Sequence, residues 1–437
     1  MEDIIRTLEE RGFLAALTDP EMQKLFREKP VTLYAGFDPT ASSLHVGNLL
    51  VIMGLAQFQR HGHTPIAVVG GGTGMIGDPS GKTKERQLLS KEDLEFNLQG
   101  IKRQLARFLD FSPALQNPAR LINNADWLTQ FKFVDFLRDV GKHFRLGEML
   151  AKESVKLRLE SDEGMSFTEF CYQLLQAYDF LHLFDTHNCT LQVGGSDQWG
   201  NITAGIDLIR KLRGKTAYGV TFPLLTAASG QKFGKTEAGT VWLDPERTPP
   251  YDLYQYFVRT DDRDVIRFLN CFTLISSNEI KEFENTIKEK PETREAQKRL
   301  AFEVTKIVHG EAAAKRAKAD AEQLFAEKRD AIDVSKLDPA LKTGIRTSEI
   351  EAGIPLVDAL VKTGLCKSRS EARRLIDQGG VYVNDMRIQD ATYVLTQENL
   401  VNQALILRAG KKKFHILIIE AIVRSQGGTK NKNRGSP

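Results

Sequence analysis

The chain has 437 residues, 41% of them hydrophobic and 27% charged, with 60 Lys+Arg against 57 Asp+Glu and a net charge of +3. Such a length points to two or three domains with real cores, and the composition excludes wholesale disorder, a fibrous repeat and a disulfide scaffold. The most apolar stretch, His415 to Val423, is too short for a membrane span and contains Glu420, and the Met1-Glu2-Asp3 start lacks a secretory signal, so the expectation is a cytoplasmic protein, or a mitochondrial one with a presequence removed.

In chain order, residues 31–37 read as a buried strand, followed by the turn-rich Asp38-Pro-Thr-Ala-Ser-Ser43 and by a helix from Val46 to Arg60 that stops at Gly62. Pro65 to Val69 is a second short strand, and further apolar runs near Leu121, Leu191 and Val220 each follow a helical segment. Strands alternating with helices predict an α/β domain with a parallel sheet covered on both faces. Residues 249–327 are helical in pattern, and 328–353 read as a polar linker. Residues 354–420 form a small unit containing a helix (Leu356–Lys362), a basic helix (Ser368–Gln378) and a strand (Val381–Val383) turning at Asn384-Asp385. Residues 421–437 read as a disordered basic tail.

Charge is unevenly spread. Residues 411–437 carry seven Lys/Arg and one acid, Glu420, hence +6, which leaves −3 on residues 1–410. Residues 362–374 hold Lys362, Lys367, Arg369, Arg373 and Arg374 against Glu371, hence +4. A basic end on a mildly acidic body fits a polyanionic partner, against the alternative of a solubilising tail. Cys171, Cys189, Cys271 and Cys366 form no CxxC pair, so they read as reduced structural thiols and no structural metal is expected.

Two phosphate-binding motifs fail on inspection. Gly72-Thr-Gly74-Met-Ile-Gly77 fits GxGxxG, but Asp78-Pro79 follows where a helix should open, and the segment about 20 residues on looks helical where a ribose-binding acid should end a strand. Gly77-Asp-Pro-Ser-Gly81-Lys82-Thr83 is one residue short of a P-loop. What remains is a glycine-rich loop that places Asp78 where backbone can approach a ligand.

Three other elements carry chemistry. His45-Val46-Gly47-Asn48 opens the first helix, just past the first strand of a parallel sheet, where the helix end favours phosphate. Lys232-Phe233-Gly234-Lys235-Thr236 sets two lysines around a glycine on a loop that can fold over a phosphate chain. The helix from Ser166 begins with a capping-box pattern, Ser166-Phe-Thr-Glu169. Tyr172, Gln176 and Asp179 then share one face, a polar stripe in an apolar helix, which points to a ligand because unpaired buried polar groups are costly.

The HxGN and KFGKT pair resembles the two signatures of class I aminoacyl-tRNA synthetases. Together with Tyr34-Ala-Gly-Phe-Asp-Pro-Thr40, the loop Val69–Gly74 with Gly77–Ser80, Gln176-Ala-Tyr-Asp179 and Gly194-Gly-Ser-Asp-Gln-Trp-Gly-Asn201, the chain is similar to tyrosyl-tRNA synthetases of bacterial and organellar type. The resemblance implies a Rossmann-like catalytic domain over 1–248 with a dimer-forming insertion, a helical anticodon-side domain over 249–327, and an S-four-type α+β RNA-binding domain over 354–420. It implies that Tyr34 and Asp179 hold the phenol hydroxyl of tyrosine, that Tyr172, Gln176 and Asp78 hold its ammonium, and that Gln198 lies near its carboxylate. Gly36, Asp38, Thr40, His45, Gly47, Asn48, Gly195, Asp197 and Lys235 would contact ATP. Lys82, Arg86, Lys232, Lys235 and Thr236 would act on the departing pyrophosphate, and Lys367, Arg369, Arg373 and Arg374 on RNA. Mg²⁺ would accompany ATP. The partners would be L-tyrosine, ATP and tRNA(Tyr), with a second copy of the chain docking on the stripe Phe133, Phe136, Leu137, Val140 and Phe144. Departures are Asn48 as the signature's fourth residue, and Ala35 and Val51 near the ribose. The rival readings are a tryptophanyl-tRNA synthetase, a synthetase-derived RNA-binding or splicing protein, and a nicotinamide dehydrogenase.

Overall fold

In the computed structural model the described residues are 3–80, 89–160, 164–228, 230, 233–236, 239–325, 347–350, 353–384, 386–400, 404–410 and 413–419. By compactness the chain divides into Met1–Lys315 and Arg316–Pro437.

The first unit is built on a six-stranded sheet: β1 (Ala16–Leu17), β2 (Thr32–Phe37), β3 (Thr64–Val69), β4 (Arg120–Asn123), β5 (Cys189–Gly195) and β6 (Tyr218–Phe222). The order is β1-β6-β5-β2-β3-β4. All the pairs from β6 to β4 are parallel, as the alternating pattern predicts, and the residues of β2, β3, β5 and β6 are mostly buried because helices cover each side, whereas those of the edge strand β4 are half-buried or exposed. The two-residue edge strand β1 runs antiparallel to β6, a pairing too short to leave a period in the sequence. From β2 the chain moves to β3 on one side, whereas β5 enters on the other. The crevice beyond the carboxyl ends of β2, β3 and β5 is therefore the place where such a sheet takes a ligand.

Local chemistry sets the helix ends. A 3₁₀ turn, Val46–Asn48, leads into the helix Leu49–Arg60. The helix Phe167–His187 starts at Ser166, whose hydroxyl accepts from the Glu169 N–H at 3.2 Å, and ends at Asn188 in the left-handed region. The Glu169 side chain does not complete a capping box. It pairs instead with Arg158 at 2.8 Å, both side chains nearly fully buried, and Arg158 also donates to the Gly164 carbonyl. Burial decided this, since a carboxylate without water takes the strongest available cation. After β6 come the helices Pro250–Val258, Asp262–Phe272, Ser277–Glu289, Glu295–His309 and Glu311–Phe325.

In the second unit the helices Leu356–Lys362 and Arg369–Asp377 pack Leu356, Leu360, Ala372 and Ile376 against Val381, Val383, Leu405, Leu407 and Leu417 of a five-stranded sheet. Thr347–Ile350, a polar stretch that reads as linker, pairs in parallel with Lys413–Ile419 as an edge strand. Asn384 takes the positive φ of the turn after Val383, and Asp385 lies outside the described residues, as do 420–437 and with them the whole basic tail.

One core group sets an acid limit on stability. His63 is fully buried beside the Phe26 and Phe58 rings, its Nδ1 accepting from the Val31 N–H at 3.2 Å, and burial pushes its pKa down to about 4. The unfolded chain takes that proton near the ordinary value of 6.5, so stability is present above it and is lost as pH falls from 6.5 towards 4. Urea denaturation at pH 7 and 4.5 is expected to show a drop of up to ~3 kcal/mol from this group, and His63→Gln should shrink it.

Candidate active site

Tyr34 and Gly36 lie on β2, with Asp38 and Thr40 just past its end. The Phe167–His187 helix supplies Tyr172, Gln176 and Asp179, and the turn after β5 supplies Asp197 and Gln198. The glycine loop after β3 supplies Thr73 and leads to Asp78.

Two hydrogen-bonded networks result. In the first, the Tyr172 hydroxyl donates to Asp38 Oδ2 at 2.9 Å and Thr73 Oγ1 donates to Asp38 Oδ1 at 2.7 Å. Asn124 Nδ2 donates to Thr73 Oγ1 and to Asp179 Oδ2, both at 2.9 Å, and Trp127 Nε1 donates to Asp179 Oδ1 at 2.7 Å. Asn124 Oδ1 in turn accepts from the Gly72 N–H at 2.7 Å, which fixes the glycine loop. Gly70 is obligatory there, because a Cβ would fall 2.1 Å from Asp38 Oδ1. The Tyr34 hydroxyl is buried with no hydrogen-bond partner among the described residues. Burial first, then the Asp179 charge, pushes its pKa well up. Burial likewise pushes Asp179 up to about 8 against the opposing pull of its two donors. An orphaned hydroxyl within the field of a carboxyl group is a seat for one more hydroxyl.

In the second network, Gln198 Nε2 donates to Asp78 Oδ2 at 2.8 Å and Gln176 Nε2 donates to Gln198 Oε1 at 3.2 Å. Asn201 Nδ2 donates to Gln176 Oε1 at 3.0 Å and to Ser80 Oγ at 3.3 Å. Asp78 Oδ1 accepts from the Ser80 N–H at 2.9 Å. The tyrosine-directed residues singled out in the sequence, Tyr34 apart, thus divide between these two networks. Sequence reasoning missed Asn124, Trp127, Thr73 and Asn201. The available signal was Asn123-Asn124, a polar pair at the carboxyl end of β4.

The two signature motifs meet. His45 and Asn48 cap each other: His45 N–H donates to Asn48 Oδ1 at 3.0 Å, and the imidazole accepts from the Asn48 N–H. Val46 N–H donates to the Val241 carbonyl at 3.0 Å, and Val241 N–H to the Gly234 carbonyl at 3.0 Å. Gly234 has φ +84°, and a Cβ there would stand 2.8 Å from Val46 Cγ2 and 3.2 Å from the Gly47 nitrogen. Phe233 anchors the loop by stacking on Phe272 at 5.1 Å and packing against Phe268. Gly47 is not an open platform: a Cβ would lie 2.8 Å from the His45 ring, so its bare backbone makes room for that imidazole. Gly36 is the open one, exposed and with nothing within 4 Å of a would-be Cβ.

Lys235 and Thr236 form a two-residue strand paired with Gly239–Thr240. Thr40 is exposed, and Gly195 ends β5 where a Cβ would strike Asp197 Oδ1 at 2.4 Å. Lys82, Arg86 and Lys232 lie outside the described residues. In the second unit Lys367, Arg373 and Arg374 are exposed, while Arg369 Nε donates to Asp358 at 2.6 Å. Among the described residues no three His, Cys, Asp or Glu side chains converge as a metal-holding group.

Residues 27–326 match the family profile of class I tRNA synthetases (W and Y), and 339–417 match the C-terminal domain of SYY-like tyrosine--tRNA ligases. The tyrosine--tRNA ligase of Protochlamydia amoebophila is 50% identical over 423 residues, covering 96% of this chain and 99% of that one. That of Roseiflexus castenholzii is 51% identical over 424 residues, covering 95% and 99%. Among solved structures, a C-terminally truncated mitochondrial tyrosyl-tRNA synthetase from Aspergillus nidulans superposes with a TM-score of 0.67 at 33% identity, over 74% of this chain and 95% of that one. The profile matches cover both units and the identity runs end to end, so the chain belongs to the tyrosyl-tRNA synthetases of class I.

Proposed function

We propose that the protein activates L-tyrosine with ATP to tyrosyl-adenylate and pyrophosphate, then transfers tyrosine to the 3′ end of tRNA(Tyr). The observation that carries the specificity is the buried, unpartnered Tyr34 hydroxyl beside Asp179. Tyrosine brings the hydroxyl that completes this pair; tryptophan does not.

In this reading Asp179, held by Asn124 and Trp127, and Tyr34 take the phenol hydroxyl. Tyr172, Gln176 and Asp78 take the ammonium group, and Gln198 orients the carboxylate. The carboxylate is already a nucleophile, so no general base is needed. Its oxygen attacks the α-phosphorus in line, a P–O bond forms, and the bond to pyrophosphate breaks. Catalysis is then positioning and stabilisation of charge on phosphate oxygens. Gly36, Asp38, Thr40, Gly47, Gly195 and Asp197 would seat the nucleotide. His45, Asn48, Lys82, Arg86, Lys232, Lys235 and Thr236 would meet the charge on the leaving phosphates. Mg²⁺ would enter bound to the ATP phosphates.

We further propose that the protein acts as a homodimer in the cytoplasm. Phe133, Val134 and Leu137 are exposed, which supports an apolar docking face, whereas Val140 is buried and Phe136 and Phe144 pack on the core around Tyr178 and Phe180. No helix among the described residues is long and apolar enough to cross a membrane. The direct test is ATP–pyrophosphate exchange with tyrosine, tryptophan and no amino acid. Exchange driven equally by tryptophan would defeat the reading.

A second test separates the half-reactions. Exposed Lys367, Arg373 and Arg374 suit tRNA phosphates, and such contacts weaken steeply with salt. A protein shortened to end at Asp338 is expected to form adenylate at close to the full rate and to charge tRNA poorly. Burst formation of adenylate and aminoacylation at two salt concentrations check this. Normal charging by the shortened protein would remove the C-terminal unit from tRNA binding.

A further inference from the structure

A cavity of about 660 Å³ lies away from the residues assigned to tyrosine and ATP, lined by Arg11, Arg60, His61, Ser276 and Ser277. It is bounded by the N-terminal helix Ile4–Glu10, by the carboxyl end of the Leu49–Arg60 helix, and by the start of the Ser277–Glu289 helix.

Two guanidinium groups share this space. Arg11 is fixed: Nη1 donates to the Asn270 and Thr273 carbonyls at 3.0 Å each, and Nη2 to the Ile275 carbonyl at 2.6 Å. Burial, and after it the like charge of Arg60, pushes the Arg11 pKa down, so the two cations repel. The Arg60 side chain makes no hydrogen bond or ion pair with the described residues. Glu10, the one acid among the described residues of the wall, is engaged by Arg6 at 2.8 Å. His61 is held by Thr7 at 3.0 Å through Nε2 and by the Gln57 carbonyl at 2.7 Å through Nδ1. Ser276 caps the 13-residue Ser277–Glu289 helix, whose positive end therefore borders the same cavity. The space thus gathers two cations, one of them unpaired among the described residues, and a helix end of the same sign.

We infer that this cavity binds the phosphoryl group of a small phosphorylated ligand, at a site separate from the one that takes ATP. A doubly charged tetrahedral anion relieves the Arg11–Arg60 repulsion and matches the Arg60 guanidinium fork, with the Arg11 N–H groups not spent on carbonyls and the Ser277 hydroxyl as further donors. The volume exceeds that of a lone phosphate, which leaves room for the rest of an ester. The location gives such a ligand reach. Arg60 ends the 12-residue helix that the His45–Asn48 turn begins, so the cavity lies roughly 18 Å from that turn. Arg11 clamps the end of the Asp262–Phe272 helix, whose Phe268 and Phe272 hold Phe233.

The test uses the full-length protein and Arg60→Gln, a surface change outside the tyrosine and ATP residues. Inorganic phosphate and glycerol 3-phosphate are titrated calorimetrically at constant ionic strength. At least one is expected to bind the unmutated protein, about tenfold or more weaker in Arg60→Gln, while tyrosine-dependent pyrophosphate exchange is unchanged. Whichever probe binds more tightly identifies a lone anion or an ester as the occupant. Arsenate soaked into crystals should give an anomalous peak between the Arg11 and Arg60 guanidinium groups. Equal affinity in the two proteins, no binding in either, or arsenate only among the ATP residues overturns the inference.

Discussion

Phenylalanine is expected to support pyrophosphate exchange roughly 10⁴–10⁵-fold less well than tyrosine in kcat/KM, a ratio already known for tyrosyl-tRNA synthetases. The physical cause is local. Phenylalanine would leave the Tyr34 hydroxyl without a partner in a site that excludes water, with Asp179 facing a ring edge instead of a hydroxyl. Tyr34→Phe should lower the ratio by about three- to tenfold, the worth of one neutral hydrogen bond. The same substitution removes a buried polar atom that has no partner among the described residues. Its thermal stability should therefore hold or rise while selectivity falls, and the two readouts together distinguish a recognition group from a packing group. Equal exchange rates with both amino acids in the unmutated protein would contradict the tyrosine assignment.

Gly234→Ala is expected to cost on the order of 10² in the rate of adenylate formation, the penalty typical of displacing catalytic groups by about 1 Å. Alanine would hold a φ of +84° poorly, and its methyl would press on Val46 and on the backbone of Gly47. The strain falls on the seam between the two signature motifs and on neither tyrosine network. Tyrosine affinity, measured by equilibrium dialysis, should stay within about threefold. A parallel loss of tyrosine affinity would mean that the seam supports the whole site and not the nucleotide end alone.

The strands were legible because a parallel sheet buried on both faces leaves short, nearly continuous apolar runs such as 31–37. The Phe167–His187 helix was legible from its cap and its single polar stripe. What could not be read was anything that depends on strand order. Asn124 reaches Asp179 because β4 lies beside β3 and the Phe167–His187 helix packs over them; the sequence separates those two residues by 55 positions. Glu169 was misread for a related reason. The pattern Ser166…Glu169 is the same whether the carboxylate turns back to its own helix or out to Arg158, and only the burial of Arg158 decides. Likewise the stripe from Phe133 to Phe144 has one helical period, yet the structure divides it between core and surface.

Asn124 also limits how the enzyme could be re-coded for an unnatural amino acid. Its amide is fully committed, accepting from the Gly72 and Thr73 N–H groups and donating to Thr73 and Asp179. An engineer who swaps Asp179 for an apolar residue, to admit a tyrosine analogue with an apolar para substituent, strands one of those donors at a cost of about 1–3 kcal/mol. Through Thr73 and Asp38 the disturbance passes to the side of the pocket assigned to the nucleotide. Substitutions at 124 and 179 should therefore be selected as a pair, since libraries that vary one position at a time would discard the members that work only together.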